Sequence, residues 1–443
     1  MKNNIKTLAI MTFIIPLFSL MVSCTFDEVV DPNGPSVDGV LKNASKGQLN
    51  ELVVAIESTS RNGLGNETTS NGVMAREFYL FNAEPRNTGD LLGKDGLQLD
   101  NNSFYSVGSW NGNYRCIKNI NLLIEAIANT DAATESEKNG YLGFAKTMMA
   151  EELIQILKSY AKARIDVADP ENLGPIVDFN EGIAKARALL EEGQQHLSNA
   201  GSSFAFRLST GFSGFDTPST FSEFNRAWAG VAAVYDGDGN AALTALASSY
   251  MDLTGDLNIG PKHIFGLGGG DQANTVFKVP STADKPNNGD QIVVHNTWIA
   301  DAEPGDLRVA QKSALRTNPA SQDGLNGTHE TRLYDSDTSP IDFLRNEELI
   351  LVYAEANILA NNLGEAEDAL NIIRNSANLP DYSGAQTTEA LTTEMLKQRR
   401  YSLWAENHRM FDLRRYGLSN TLPIDRAGDQ IFNTMPIPLP ETY

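Results

Sequence analysis

Flat aromatic rings set among amides are the side-chain chemistry of sugar recognition. Trp298, Tyr79, Tyr105 and Tyr334 fall in stretches without helical period, near Asn82, Asn87 and Asn296. A ring stacks on the apolar C–H face of a pyranose while the rim hydroxyls seek polar partners. These four rings are the candidate ligand-facing residues, although each can equally bury against a scaffold. Trp228 and Trp404 sit on helical stripes and read as core.

Other chemistry finds weaker support. Asp236, Asp238 and Asn240 offer oxygens at alternate positions, as a calcium loop would, but Ala241 stands at the turn glycine and Ala247 at the closing glutamate. The stretch reads as a turn between helices. Gly268-Gly269-Gly270 has no following Lys-Ser/Thr and reads as a loop rather than a phosphate cradle. His196, His263, His295, His329 and His408 have no close ligand spacing, so no metal and no cofactor is expected. No Gly-x-Ser-x-Gly elbow is present, and nothing singles out a catalytic pair among 56 acidic residues, so the chain does not read as an enzyme. Lys397, Arg399, Arg400, Arg409, Arg414 and Arg415 are interleaved with Glu394, Glu406 and Asp412. Local pairing with carboxylates explains these cations better than nucleic acid does.

The N-terminus carries chemistry of a different kind. Lys2 and Lys6 precede an apolar run through Phe18, too short to be a mature membrane span. The run ends in Leu20-Met21-Val22-Ser23-Cys24, which resembles a bacterial lipobox with Cys24 as the acylated new N-terminus. Residues 1–23 are then a signal peptide. Residues 24–40, with Asp27-Glu28 and Asp31-Pro32-Asn33-Gly34-Pro35, form an acidic Pro/Gly tether. Cys116 is the second of two cysteines, so with Cys24 acylated no internal disulfide can form. The formal charge of −21 argues against nucleic acid and against adsorption on anionic lipid.

These groups need a scaffold, and the sequence predicts a mainly α one. Phe221, Phe224, Trp228, Val231 and Tyr235 make one stripe, broken at Asp236 and resumed at Ala242, Leu243, Leu246 and Tyr250. Leu349, Val352, Ala356 and Leu359 pair likewise with Ala366, Leu370, Ile373 and Ala377. Short turns imply antiparallel neighbours of the tetratricopeptide kind, spaced too widely for a consecutive array. Further pairs are expected from Trp110 to Leu197, and a last helix from about Glu389 to Asn407. The helical scaffold is placed at about 41–60, 110–200, 221–251 and 342–416. Loop-rich parts are placed at about 60–108, 252–341 and 417–443, with a possible strand at Asp290–His295. Long loops of this kind are where ligand contacts belong.

The C-terminal third carries a resemblance. Arg399-Arg400-Tyr401-Ser402-Leu403-Trp404-Ala405-Glu406-Asn407-His408-Arg409, continuing to Phe411-Asp412-Leu413-Arg414-Arg415, resembles a signature of the SusD/RagB family. Leu344-Arg345, Tyr353-Ala354-Glu355-Ala356, Asn371 to Arg374, and Met435-Pro436-Ile437-Pro438 resemble its other motifs. Two departures are Gln398 for a usual Glu and Asn407 for a usual Gly. The resemblance implies a SusD-like domain over 41–443, with helix pairs beneath a loop-rich ligand side. It further implies an outer-membrane, surface-exposed lipoprotein that captures an oligosaccharide or peptide. The ligand would pass to a SusC-like TonB-dependent transporter. The alternatives are an exported polysaccharide hydrolase and a repeat scaffold with protein partners alone.

Overall fold

A computed structural model describes residues 41–281 and 289–442. The segments expected to form a signal peptide (1–23) and a tether (24–40), with Cys24, lie outside the described residues.

The chain begins with helices α1 (Lys46–Thr59) and α2 (Leu64–Met74), strand β1 (Phe78–Asn82), and two long helices, α3 (Phe104–Asn129) and α4 (Glu135–Tyr160). A short hairpin, β2 (Lys162–Arg164) and β3 (Ile176–Asp178), leads into α5 (Phe179–Ser198), α6 (Pro218–Tyr235) and α7 (Gly239–Leu246). The starts are written locally. Ser45 with Gln48, and Thr134 with Glu137, form reciprocal capping boxes on α1 and α4, and Pro218 follows the Thr217 cap of α6. Helices α3 to α6 pack on their sequence neighbours, α3 and α4 across a short turn and the later pairs across longer connections. Close approach is built in. A Cβ at Gly143 would lie 2.6 Å from Leu197, and one at Gly182 would lie 2.6 Å from Leu157.

The calcium-like stretch is a turn, as expected. Asp238 caps α7 by accepting the Ala241 amide at 3.0 Å, and Arg187 pairs with Asp236 and with Asp238, the latter at 3.0 Å.

Strand β4 (Lys262–His263) comes next, then β5 (Asp290–Val294), the short helices α8 (Asn296–Ala300) and α9 (Leu307–Lys312), and strands β6 (Ser313–Gln322), β7 (Leu325–Thr331) and β8 (Ile341–Asp342). Helices α10 (Asn346–Leu359), α11 (Leu363–Ser376), α12 (Thr388–Ser402) and α13 (Arg409–Arg415) complete the scaffold. β1, β5, β7 and β6 make an antiparallel sheet in that order, with Phe78 opposite Val294. β4 pairs with β8. Phe78, Tyr79, Leu80 and Phe81 are all buried, so β1 is covered on both faces.

Three differences from the sequence reading have physical causes. The stretch 60–108 contains a core helix and a central strand. From Glu67 to Met74 every residue of α2 is buried although most are polar, so no apolar stripe announces it. The last helix does not run through to Asn407. It stops at Ser402, and Ala405 and Asn407 both take φ of 61°, a left-handed conformation no helix continues through. The segment 252–341 holds three strands of the sheet as well as loops.

Candidate functional site

Three of the four predicted rings are core, and this corrects their assignment as ligand contacts. Trp298 is 0 % exposed, stacked between Tyr401 and Trp404 at 5.3 and 5.0 Å, with its Nε1 donating to the Arg400 carbonyl. Its segment looked aperiodic because α8 is a single turn, yet that turn lies against α12. Tyr79 sits inside the sheet, stacked on Phe81 at 5.5 Å. Tyr105 is buried at the start of α3, where its hydroxyl donates to Asp90 at 3.0 Å and accepts the Asp100 amide at 2.7 Å. The amides are also used internally: Asn87 donates to Asn82 and Asn296 donates to the Asn326 carbonyl. Tyr334 is half-buried and lines an internal cavity. Among the described residues Phe104 is the one aromatic ring that is well exposed, and the Arg86 guanidinium lies 5.2 Å from its centre.

The C-terminal signature is also interior. Arg399 is 1 % exposed, with its Nε on Asp412 at 2.7 Å and an NH2 donating to His408 Nδ1 at 3.3 Å. Burial and the neighbouring cations push the His408 imidazole well below its ordinary value, so it stays neutral and accepts that bond. Arg415 pairs with Glu355 at 2.7 Å and lies against the rings of Tyr235, Phe411 and Tyr416. Asn407 Oδ1 accepts from Asn71 on α2 at 2.6 Å, which ties the left-handed turn to the polar helix.

Behind these residues lies a cavity of about 40 Å³ lined by Glu67, Glu151, Glu152, Glu348, His263 and Tyr334, among others. Burial holds the carboxyls of Glu67, Glu151 and Glu348 up to about 7 and also pushes that of Glu152 well above its ordinary value. Lys158 is pushed down by the same burial, partly offset by Glu348 and Glu67. Glu152 Oε1, Trp228 Nε1 and His263 Nδ1 have no protein partner, and a space of this size and polarity suits ordered water. No group of three His, Cys, Asp or Glu side chains among the described residues is placed to hold a metal ion.

His263 and Phe343, stacked at 3.5 Å, form the partition between that cavity and an open groove of about 520 Å³. One wall is the C-terminal half of α1, with Val54, Glu57, Ser58 and Arg61. The others are the 207–212 segment and the stretch from Lys262 to Asp271, which includes the glycine run. Glu57 accepts the Ser209 amide at 3.1 Å, and burial raises its carboxyl. Burial also lowers His263 to about 3, so the floor of the groove is uncharged there. The volume is that of a small-ligand pocket. Sequence reasoning placed the glycine run in a loop but missed Arg61, Glu57 and Arg207. Glu57 and Arg61 belong to a helix and its exit turn, and no spacing in the sequence relates them to Arg207 or Asp271.

Residues 316–435 match the SusD family model. No curated protein matches the chain in sequence. The fold is shared with solved structures. A SusD superfamily protein from Bacteroides vulgatus ATCC 8482 aligns at TM-score 0.66 and 16 % identity, over 90 % of this chain and 96 % of that one. Surface glycan-binding protein A from Bacteroides thetaiotaomicron aligns at 0.70 and 13 %, over 91 % and 97 %. The same protein in complex with laminarihexaose aligns at 0.67 and 12 %, over 90 % and 97 %. The chain is therefore SusD-like in fold, mainly α, with tetratricopeptide-like helix pairs beneath the sheet and loops.

Proposed function

We propose that this protein is a cell-surface lipoprotein of the outer membrane that captures an oligosaccharide and delivers it to a SusC-like TonB-dependent transporter. The observation that carries the reading is the SusD-like fold, which spans about nine-tenths of the chain and is shared with a surface glycan-binding protein. The groove beside α1 supplies an open space of ligand size on that fold. The lipobox-like run ending at Cys24 supports the anchor, and the acidic tether behind it supports display away from the bilayer. Anchoring beside a barrel raises the effective concentration of each partner for the other. Binding and handover require no covalent chemistry.

Two measurements test this. The purified chain, titrated with a glycan panel, is expected to bind without releasing product; sustained turnover would overturn the reading in favour of a hydrolase. Cys24→Ala is expected to leave affinity intact and abolish uptake by cells. Wild-type uptake by that variant would show that the anchor is dispensable.

A further inference from the structure

The groove lacks what a neutral sugar face needs and has what an acidic one needs. Phe212, Phe343 and His263 are its rings, and they are 1, 7 and 6 % exposed. None presents a face on which a pyranose can stack. Val54 is the exposed apolar side chain of the groove, and the rest of what reaches the surface is largely polar or charged. Arg61, Arg207 and Lys262 line the groove against Glu57 and Asp271, a cationic excess on a chain whose net charge is −21.

The state of each charge matters more than the tally. Both carboxylates are engaged, Glu57 by the Ser209 amide and Asp271 by Arg61 at 3.3 Å and the Gln272 amide at 2.8 Å. Lys262 is paired with Asp342. Arg61 is held in place by Ser58, the Ile264 carbonyl and Asp271. Arg207 is exposed, and no hydrogen bond or ion pair ties it to any described residue. Its planar fork of donors is thus free for a carboxylate or sulfate. On the far side of the groove Gly269 and Gly270 are exposed and crowd nothing, so a ligand can approach the main chain there.

We propose that the groove binds an anionic oligosaccharide, with Arg207 taking a carboxylate or sulfate of the glycan. The inference rests on the oligosaccharide reading above and specifies its class of ligand. Stacking gives way here to charge-assisted hydrogen bonds, so affinity falls as salt is added.

The test is calorimetric titration of the full chain with oligogalacturonates, with sulfated chondroitin oligosaccharides, and with the neutral laminarihexaose and maltohexaose. An acidic series is expected to bind with salt-sensitive affinity, and the carboxylate and sulfate arms identify the anion. Arg207→Ala is expected to weaken that binding at least tenfold with an unchanged thermal midpoint, and Arg207→Lys to restore part of it. If a neutral hexaose binds equally well to wild type and Arg207→Ala, the charge inference falls and the oligosaccharide reading stands. Binding of nothing in the panel overturns both.

Discussion

Arginines do opposite work in two parts of this molecule. Between Gln398 and Tyr416, Arg399 and Arg415 are buried or nearly so, paired with Asp412 and Glu355 and surrounded by rings. At the groove Arg207 is exposed, with no hydrogen-bond or ion-pair partner among the described residues. The first set fastens α12 and α13 to α10; the second is available to a ligand. A conspicuous run of charge in a sequence can therefore be a fastening, while a functional charge stands alone. The physical difference is desolvation. A buried cation needs a fixed counter-charge and hydrogen bonds, so it arrives with partners; an exposed one needs neither.

Substitutions can sharpen or break that contrast. The largest effect is expected at Arg399→Ala, which leaves the buried Asp412 with Arg415, 3.6 Å away, as its remaining cation, at a cost of about 3–5 kcal/mol. Chemical denaturation should show it, and stability near that of wild type would mean the pair is not a fastening. Trp298→Ala follows, costing about 3–4 kcal/mol by emptying the space between Tyr401 and Trp404. The fraction that folds should bind ligand as wild type does, and a selective loss of affinity would return Trp298 to the site. Asn407→Val should cost about 2 kcal/mol, since a β-branched side chain resists the left-handed turn and the bond from Asn71 is lost.

Glu151→Gln tests the buried carboxyls through pH. Burial raises the folded-state value of Glu151 to about 7 from its ordinary 4.5. The folded form therefore keeps a proton that the unfolded form loses. Its contribution to stability is full below about pH 4.5 and declines until about pH 7. The variant should gain stability relative to wild type as pH rises through that window, read as the difference in thermal midpoint. A constant difference would show that the carboxyl is already ionised in the fold. Arg207→Ala is expected to have the smallest effect on stability, within about 0.5 kcal/mol, because the side chain is exposed and no hydrogen bond or ion pair ties it to a described residue.

Much of the scaffold could be read along the chain. The stripe from Phe221 to Tyr235 and the pairs around Asn361 and Asp236 have a 3.6-residue apolar period, and the structure places helices there, although Phe224–Tyr235 of α6 and most of α10 are buried on every side. Helix α2 could not be read, because its sequence Leu-Gly-Asn-Glu-Thr-Thr-Ser-Asn-Gly-Val-Met has the composition of a loop. It is helical through contacts from outside. Ser159 bonds to Glu67, and Asn71 bonds to Ser159 and Asn407. The rings failed for the converse reason. An aromatic in an aperiodic stretch looks free until another element covers it, as α12 covers Trp298.

Local chemistry by itself thus determined the caps, the helix pairs, the turn at Asp236 and the place of the signature motif, since each rests on residues within a few positions of one another. The same holds for Asn407, where asparagine tolerates the left-handed backbone for which a glycine would otherwise serve. The tertiary structure alone decided which side chains line the groove. Arg61, Arg207 and Asp271 are far apart in the chain and meet because α1, the 207–212 segment and the strand after α7 pack around one groove. Burial is a property of neighbours brought together by folding, so the sequence could name the aromatic candidates and only packing could show that most of them were core.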